Sequence, residues 1–264
     1  MTVLSNTLEW IDVHTHLNML KSGVGESIDL ASAAGVKRLI TIGTNPGDHQ
    51  TVLEIAKQYF PQVACTLGVH PHDAIQWNSE VCAFMKSALT EPYVVAVGEI
   101  GLDYFYKHSE VGVQKKAFIE QMELALEGKL PVEIHTRDAD EDTAEIIGSF
   151  RGKVRGVFHC FSSSKWLAEK ALDAGWNLSF SGIVTFKNAH ELREIVKYVP
   201  LERLHVETDA PFLAPVPFRG KENIPQYVVH TAEKIAEIKQ VSLEELCHQT
   251  KKNALAMFPK LSWN

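Results

Sequence analysis

The chain has 264 residues, of which 45% are hydrophobic and 22% charged, the proportions of a globular protein that folds in water. The 26 Lys and Arg against 33 Asp and Glu give a net charge of −7, so indiscriminate attraction to nucleic acid or anionic lipid is disfavoured and a polyanionic substrate would need a local basic rim. Four scattered cysteines without a Cys-x-x-Cys pair exclude a zinc ribbon and a disulfide framework. With no signal-like start and no membrane-length apolar run, we expect a cytoplasmic protein without a membrane or an obligate protein partner.

Eight β-rich runs are predicted in chain order. The first lies within residues 9–16, and the others follow at 38–42, 63–69, 93–97, 132–135, 154–159, 176–180 and 203–206. Helical patterns separate them at 27–34, 52–58, 80–89, 114–127, 143–150, 166–174 and 191–199. Two more helices are predicted after the eighth run, at 224–239 and 242–258, and Ser242 with Glu245 forms a capping box at the start of the last one.

Strands that alternate with single helices must pair in parallel, and eight such units predict an α/β protein with a closed (β/α)8 TIM-type barrel. We expect one domain over residues 1–264, because no linker-like segment is visible. A doubly wound open sheet is the competing fold. Its nucleotide-binding versions lose their main support, because neither G-x-G-x-x-G nor G-x-x-x-x-G-K-[ST] follows a strand.

Candidate metal ligands stand at the ends of several predicted strands. His14 and His16 project to the same side of the first strand, although a single His-x-His pair is weak on its own. The further candidates, each at or just after another strand, are Glu99, His135, His159 and Asp209. Because the carboxyl ends of all strands of such a barrel open on one face, we expect these side chains to converge.

Four histidines and two carboxylates suit Zn, Mn, Fe or Co, and suit Mg alone less obviously. Six ligands are too many for one tetrahedral ion, so we predict two divalent ions about 3.5–4 Å apart, as in two-metal hydrolases, with Glu99 as the bridge. Asp209 is predicted to bind one ion and to accept the proton of the attacking water. The alternative for Asp209 is a structural role in the turn Thr-Asp-Ala-Pro.

A series of motifs resembles the TatD family of metal-dependent deoxyribonucleases, from about residue 10 to 258. In order, they are Ile-Asp-Val-His-Thr-His (11–16), Gly-Val-His-Pro (68–71), Gly-Glu-Ile-Gly-Leu-Asp-Tyr (98–104), Glu-Ile-His-Thr-Arg (133–137), Val-Phe-His-Cys-Phe (157–161), Glu-Thr-Asp-Ala-Pro-Phe (207–212) and Arg-Gly-Lys-Glu-Asn-Ile-Pro (219–225). The resemblance implies a metallo-dependent hydrolase-like barrel of the amidohydrolase superfamily, with a dinuclear site at the six candidate ligands.

The resemblance also implies hydrolysis of phosphodiester bonds, often as a 3′→5′ exonuclease on single-stranded DNA or RNA. Mg or Mn would support activity, whereas the histidine-rich ligand set is also suited to Zn. Glu99 and Asp209 would be the catalytic carboxylates. Two other readings remain open, an ester hydrolase acting on D-aminoacyl-tRNA and a small-molecule amidohydrolase. A scaffold without catalysis is a third, which the intact ligand set opposes.

Phosphates that flank a cleaved bond need cations on the barrel rim. Arg137 follows His135 by two residues, and Arg219 and Lys221 lie in the loop after the eighth strand, so these three are candidate substrate contacts. His70 ends the third strand and is predicted either to contact substrate or to anchor a loop. The aromatic residues 104–106 either stack a base or pack a loop. The isolated histidines receive no predicted role; they are His72, His108, His190, His205 and His230.

Overall fold

A computed structural model describes residues 8–261. Eight parallel strands form one sheet in strict chain order, each paired with the next. The strands are β1 (Trp10–Thr15), β2 (Val36–Gly43), β3 (Val63–Leu67), β4 (Val94–Asp103), β5 (Val132–Arg137), β6 (Gly156–Phe158), β7 (Asn177–Phe180) and β8 (Leu204–Val206). Every predicted strand overlaps an observed one.

Helices cover the connections between the strands, and two follow the last strand. They are α1 (Val24–Ala33), α2 (His49–Tyr59), α3 (Ser79–Ala88), α4 (Val111–Gly128), α5 (Asp140–Ser149), α6 (Lys165–Asp173), α7 (His190–Tyr198), α8 (Val228–Lys239) and α9 (Leu243–Met257). The predicted cap of the last helix is confirmed, because Ser242 Oγ accepts the backbone N–H of Glu245 at 3.0 Å. Within residues 8–261, no helix combines the length and the apolar character needed to cross a membrane.

The barrel closes where the segment after β8 meets β1. Thr15 forms a parallel bridge with Ala210, His16 N donates to Ala210 O at 2.8 Å, and Asp209 N donates to His14 O at 2.9 Å. The predicted (β/α)8 barrel is therefore confirmed, and the open-sheet alternative is wrong. The same hydrogen bonds fix the backbone of Asp209 against the His-x-His pair of β1.

Strand β4 differs from its prediction. The fourth strand was expected to end at residue 97, but it continues to Asp103, so Glu99 lies inside the strand and not at its end. Two glycines near Glu99, Gly98 and Gly101, would be expected to end a strand, but here they lie in close contact with β5. A Cβ on Gly101 would lie 1.9 Å from His135 O, and one on Gly98 would lie 2.8 Å from Glu133 Cβ. The glycines thus let β5 approach β4 closely at the level of Glu99.

His205 is a buried structural histidine on β8. The amide nitrogen Nδ2 of Asn177 donates to its Nε2 at 2.8 Å, which requires a neutral imidazole. Burial lowers the pKa of His205 to about 3. Because the unfolded chain binds this proton near pH 6.5, the contribution of His205 to stability falls as the pH drops below that value.

We expect His205→Gln to flatten the acid side of the stability profile. At pH 5 the wild-type protein should have lost about 2 kcal/mol through this residue relative to pH 7.5 or above, and the variant should lose none of it. Urea unfolding at a series of pH values measures the difference between the two proteins. Parallel profiles for the two proteins would contradict the depressed pKa.

Candidate metal centre

The six predicted ligand residues converge at the carboxyl end of the barrel. Glu99 lies at the middle, where its Oε1 is 2.8 Å from His159 Nε2 and 3.0 Å from His135 Nδ1. Its other oxygen, Oε2, lies 3.7 Å from His14 Nε2. One carboxylate thus faces nitrogen atoms from three different strands or strand ends, as a bridging group must.

Asp209 forms the opposite wall of the pocket. Its Oδ1 lies 3.4 Å from His16 Nε2 and 3.8 Å from His14 Nε2. In two sets of three, the ligand atoms all lie within 4.8 Å of one another: His14 with Glu99 and His159, and His14 with His16 and Asp209. The two sets share His14, so two adjacent cation positions can be formed from these residues.

Three of the histidines are held from behind by buried carboxylates. Glu133 Oε2 lies 2.8 Å from His14 Nδ1, Asp103 Oδ2 lies 3.2 Å from His135 Nε2, and Glu207 Oε1 lies 3.3 Å from His159 Nδ1. Glu133 and Asp103 are hydrogen-bonded to their ring nitrogens, and Glu207 lies beside the ring nitrogen of His159. The other nitrogen of each ring faces Glu99, and an ionised carboxylate behind the ring favours the tautomer that a metal requires.

Asp103 also organises the loop after β4. Its Oδ2 accepts from His72 Nε2 at 2.9 Å, and its Oδ1 accepts the backbone N–H groups of Phe105 and Tyr106, both at 2.9 Å. The orientation of His135 and the position of two exposed aromatic residues therefore depend on the same carboxylate. His72, to which we assigned no role from the sequence, belongs to this network.

The electrostatics of the pocket favour a cation. Burial works to raise the pKa of Glu99, but His159 and His70 hold it well below its usual value. Burial works to lower the pKa of His159, but Glu99 and Glu207 raise it well above the usual range. In the absence of metal, a proton on His159 thus neutralises the carboxylates, and a divalent ion can take its place.

The donor set also meets the chemical test for a metal site. His14 Nε2 is a buried nitrogen without a hydrogen-bond partner, directed between Glu99 and Asp209. Leaving such an atom unpaired is unfavourable unless something else binds it. Imidazole and carboxylate ligands together suit Zn, Mn, Fe or Co. The residues that could hold metal are therefore His14, His16, Glu99, His135, His159 and Asp209.

We expect Glu133→Gln to weaken metal binding about 10–100-fold while the barrel still folds, because the amide holds His14 less firmly in the required tautomer. Competition with a chromophoric chelator measures the Kd. The exposed Glu145 provides the matched control, and Glu145→Gln should bind metal like the wild type. An unchanged Kd for Glu133→Gln would show that Glu133 does not orient the ligand.

The predicted substrate contacts lie on the rim around this pocket. Arg137 stacks over the ring of Phe105 at 3.9 Å, and Arg219 stacks over Phe186 at 3.7 Å. Lys221 Nζ lies 5.6 Å from the ring centre of Phe218. The structure thus places Arg137 beside the loop after β4, and the other two cations beside the loops after β7 and β8.

His70 is close to the centre itself. Its Nε2 lies 3.4 Å from Glu99 Oε1, and its ring centre lies 4.5 Å from that of His135. Burial lowers its pKa to about 4, so the ring is neutral at pH 7. It also anchors a loop, because its Nδ1 accepts the backbone N–H of His72.

A family model described as TatD related DNase matches residues 11–259. The chain belongs to the TatD family. It is 40% identical to the uncharacterized metal-dependent hydrolase YabD of Bacillus subtilis over 250 residues, which cover 94% of this chain and 98% of that protein. It is 39% identical to the uncharacterized metal-dependent hydrolase YcfH of Escherichia coli K12, over 94% of this chain and 95% of that one.

A solved structure agrees with this assignment. The crystal structure of YjjV, a TatD homolog from Escherichia coli K12, superposes with a TM-score of 0.88 at 28% identity and covers 95% of this chain and 98% of that chain. The protein is a metal-dependent hydrolase of the TatD family, and its cluster of histidines and carboxylates is the candidate metal centre.

Some of the residues that build this TatD-family site were not predicted. They are Glu133, Glu207, Asp103 and His72. A signal was present for the first two, because each is an acid two residues before a predicted ligand: Glu133 lies within the apolar strand β5, and Glu207 directly follows β8. For Asp103 and His72, no comparable signal exists, since the residues meet across 31 positions of chain.

Proposed function

We propose that this TatD-family protein is a nuclease that removes nucleotides from the 3′ end of single-stranded DNA or RNA with two divalent ions. The pairing of cations with aromatic rings that are exposed or half-buried carries the proposal. Arg137 with Phe105 and Tyr106, and Arg219 with Phe186, offer a charge for a phosphate beside a flat surface for a base. Single-stranded nucleic acid is bound by this combination of groups, whereas a small amide or lactone needs neither.

Two details of the rim refine the proposal. Phe212 is exposed, and its ring centre lies 5.9 Å from that of His16, so a base can stack close to the site of cleavage. Arg137 borders a groove of about 740 Å³ whose walls include Asp138, Asp140 and Asp142. These acids repel phosphates, so the side of Arg219 and Lys221 is the more favourable path for the rest of the strand.

The metal ligands proposed for this reaction are the six residues of the cluster, with Glu99 as the bridge between the ions. Bound divalent ions of the Mg, Mn or Zn type would lower the pKa of a water molecule, polarise the phosphate and stabilise the leaving oxygen. Asp209, whose Oδ1 faces His14 and His16, is the carboxylate that would accept the proton of that water. Glu133, Asp103 and Glu207 would hold the rings of His14, His135 and His159 in the orientation that metal binding needs.

The test uses metal-stripped protein resupplied separately with Mg, Mn or Zn, and a single-stranded oligonucleotide labelled at its 5′ end. We expect a metal-dependent ladder that shortens from the 3′ end. Arg219→Ala should raise KM about tenfold with little change in kcat, because one charged contact to a flanking phosphate is worth roughly 1.4 kcal/mol. Arg155→Ala is the matched control, because Arg155 is exposed at the amino end of β6, and its KM should stay at the wild-type value.

Two results would count against the proposal. Cleavage of the oligonucleotide in the presence of a chelator would show that the reaction does not need divalent ions. No cleavage with any ion would overturn the nuclease assignment, and the ester bond of D-aminoacyl-tRNA would then be the next substrate to test, since a phosphate-binding rim serves a transfer RNA equally well.

A further inference from the structure

Besides the ligands assigned above, His70 also faces Glu99. The nitrogen Nε2 of His70, a nitrogen of His135 and an oxygen of Glu99 lie within 4.8 Å of one another, so the three residues have the spacing of a further metal position. Spacing alone does not decide whether a histidine binds metal. The ring nitrogen that faces the ion must carry a lone pair, and the hydrogen bond at the other nitrogen determines whether it does.

The three histidines backed by acids pass this test. In His14, His135 and His159, the ring nitrogen remote from the metal pocket lies 2.8–3.3 Å from a carboxyl oxygen. Where that carboxyl group is ionised it can only accept a hydrogen bond, so the proton then resides on the remote nitrogen. The nitrogen that faces the pocket is then free to bind a cation.

His70 has the opposite arrangement. Its remote nitrogen, Nδ1, accepts the backbone N–H of His72 at 3.1 Å, so Nδ1 holds the lone pair. A neutral imidazole carries one proton, which must then be on Nε2, the nitrogen that faces Glu99. A metal ion cannot bind a nitrogen that carries a proton, and the N–H group is a hydrogen-bond donor.

The local sequence enforces this tautomer. His70 is the N-terminal cap of a short helical turn, Pro71–Gln76, and Asp73 N donates to His70 O at 2.8 Å. Pro71 has no N–H, so the amide of His72 is the first that the capping side chain can accept. The backbone N–H of His72 can only donate a hydrogen bond. If the proton of His70 moved to Nδ1, this N–H would lose its acceptor.

We propose that His70 remains outside the coordination of the metal ions and donates its Nε2–H to an oxygen of the substrate phosphate. This inference rests on the proposed phosphodiester activity. In the protein without substrate, the same N–H faces Glu99 Oε1 at 3.4 Å, which is a long contact. A donor fixed by the backbone needs no reorganisation when negative charge develops on a phosphate oxygen, and that property makes such donors effective.

The first experiment reads the tautomer and the metal content. We expect ¹⁵N–¹H correlation spectra of the zinc-loaded protein to show a protonated Nε2 and an unprotonated Nδ1 for His70. His70→Asn keeps a capping side chain for the N–H of His72 but removes the donor near Glu99. It should bind as many metal equivalents as the wild type, with a Kd within about threefold, whereas His135→Asn, the matched control, should lose one equivalent or bind it far more weakly. A His70 with its proton on Nδ1, or a lost equivalent in His70→Asn, would overturn the inference.

The second experiment tests the donor with inorganic phosphate, titrated calorimetrically into the metal-loaded proteins. We expect His70→Asn to bind phosphate about tenfold more weakly than the wild type. Equal affinity, or no phosphate binding by the wild type, would refute the donor role. Neither experiment needs cleavage of an oligonucleotide. An inactive wild type with both results as expected would reject the nuclease assignment alone, and an active wild type with a metallated His70 would reject this inference alone.

Discussion

Glu99→Gln should reduce hydrolysis by about 10³-fold, which corresponds to roughly 4 kcal/mol of transition-state stabilisation. The carboxylate is the centre of the cluster, with His159 Nε2 and His135 Nδ1 at one oxygen and His14 Nε2 at the other. A carboxamide keeps the shape of the side chain but loses the negative charge, and one of its two ends becomes a donor that cannot bind a cation. We therefore expect both the metal content and kcat to fall together.

The matched control is Glu127→Gln, because Glu127 is an exposed residue at the end of α4 that contacts Lys86. Its kcat and metal content should equal those of the wild type. Circular dichroism and the unfolding midpoint establish that Glu99→Gln is folded. A Glu99→Gln protein with kcat within a few-fold of the wild type would refute the bridging role. If the variant kept two equivalents of metal but had a low kcat, Glu99 would act in the chemical step and would not be needed to bind the ions.

The barrel could be predicted from the sequence because its determinants are local. Apolar runs of strand length alternate with amphipathic helices, and parallel strands joined by right-handed helical crossovers form either a closed barrel or an open sheet. The convergence of the ligands follows from the same pattern, since it depends only on which end of each strand carries the histidine or carboxylate. His159 and Asp209, for instance, stand just beyond β6 and β8 and needed no knowledge of packing.

The supporting residues could not be predicted in the same way, because their roles depend on distant contacts. Glu133 contacts His14 across 119 residues of chain. Its role follows from its position behind the His14 ring, at the nitrogen remote from the metal pocket, and the sequence does not give that position. The end of β4 was wrong for a related reason. Gly101 has a φ of +138° and lies against the backbone of His135, so a residue that appears to end a strand instead allows two strands to touch.

The buried acids around the metal ligands bear on how a protein of net charge −7 would hold the polyanionic substrate that we propose. Asp12, Glu133 and Glu207 are fully buried around the ligand layer, and burial raises the pKa of each. Asp12 accepts hydrogen bonds from Thr208, and Glu133 lies 2.8 Å from His14 Nδ1. A raised pKa reduces the negative charge that these acids add beside the metal ligands. In the proposed function, the positive charge that meets a phosphate would come from the bound ions and from arginines such as Arg219.

Asp209→Asn should lower kcat by about 10³-fold or more, and its metal content separates the two roles of the residue. Asp209 has a φ of +56°, a left-handed conformation that Asn tolerates and that disfavours Ala, so Asn removes the charge without straining the turn. Its carboxylate faces His14 and His16, and we propose that it also accepts the proton of the attacking water. Loss of a general base alone costs about 10²- to 10⁴-fold in rate.

Elemental analysis of the purified variant gives the decision. Loss of one metal equivalent together with low kcat identifies Asp209 as a ligand of the ion at His14 and His16. Two retained equivalents with low kcat identify it as the proton acceptor alone. Asp29→Asn is the control, because Asp29 is exposed on α1, and the variant should keep the kcat of the wild type. Full activity of Asp209→Asn would return this residue to a purely structural role in the turn that follows β8.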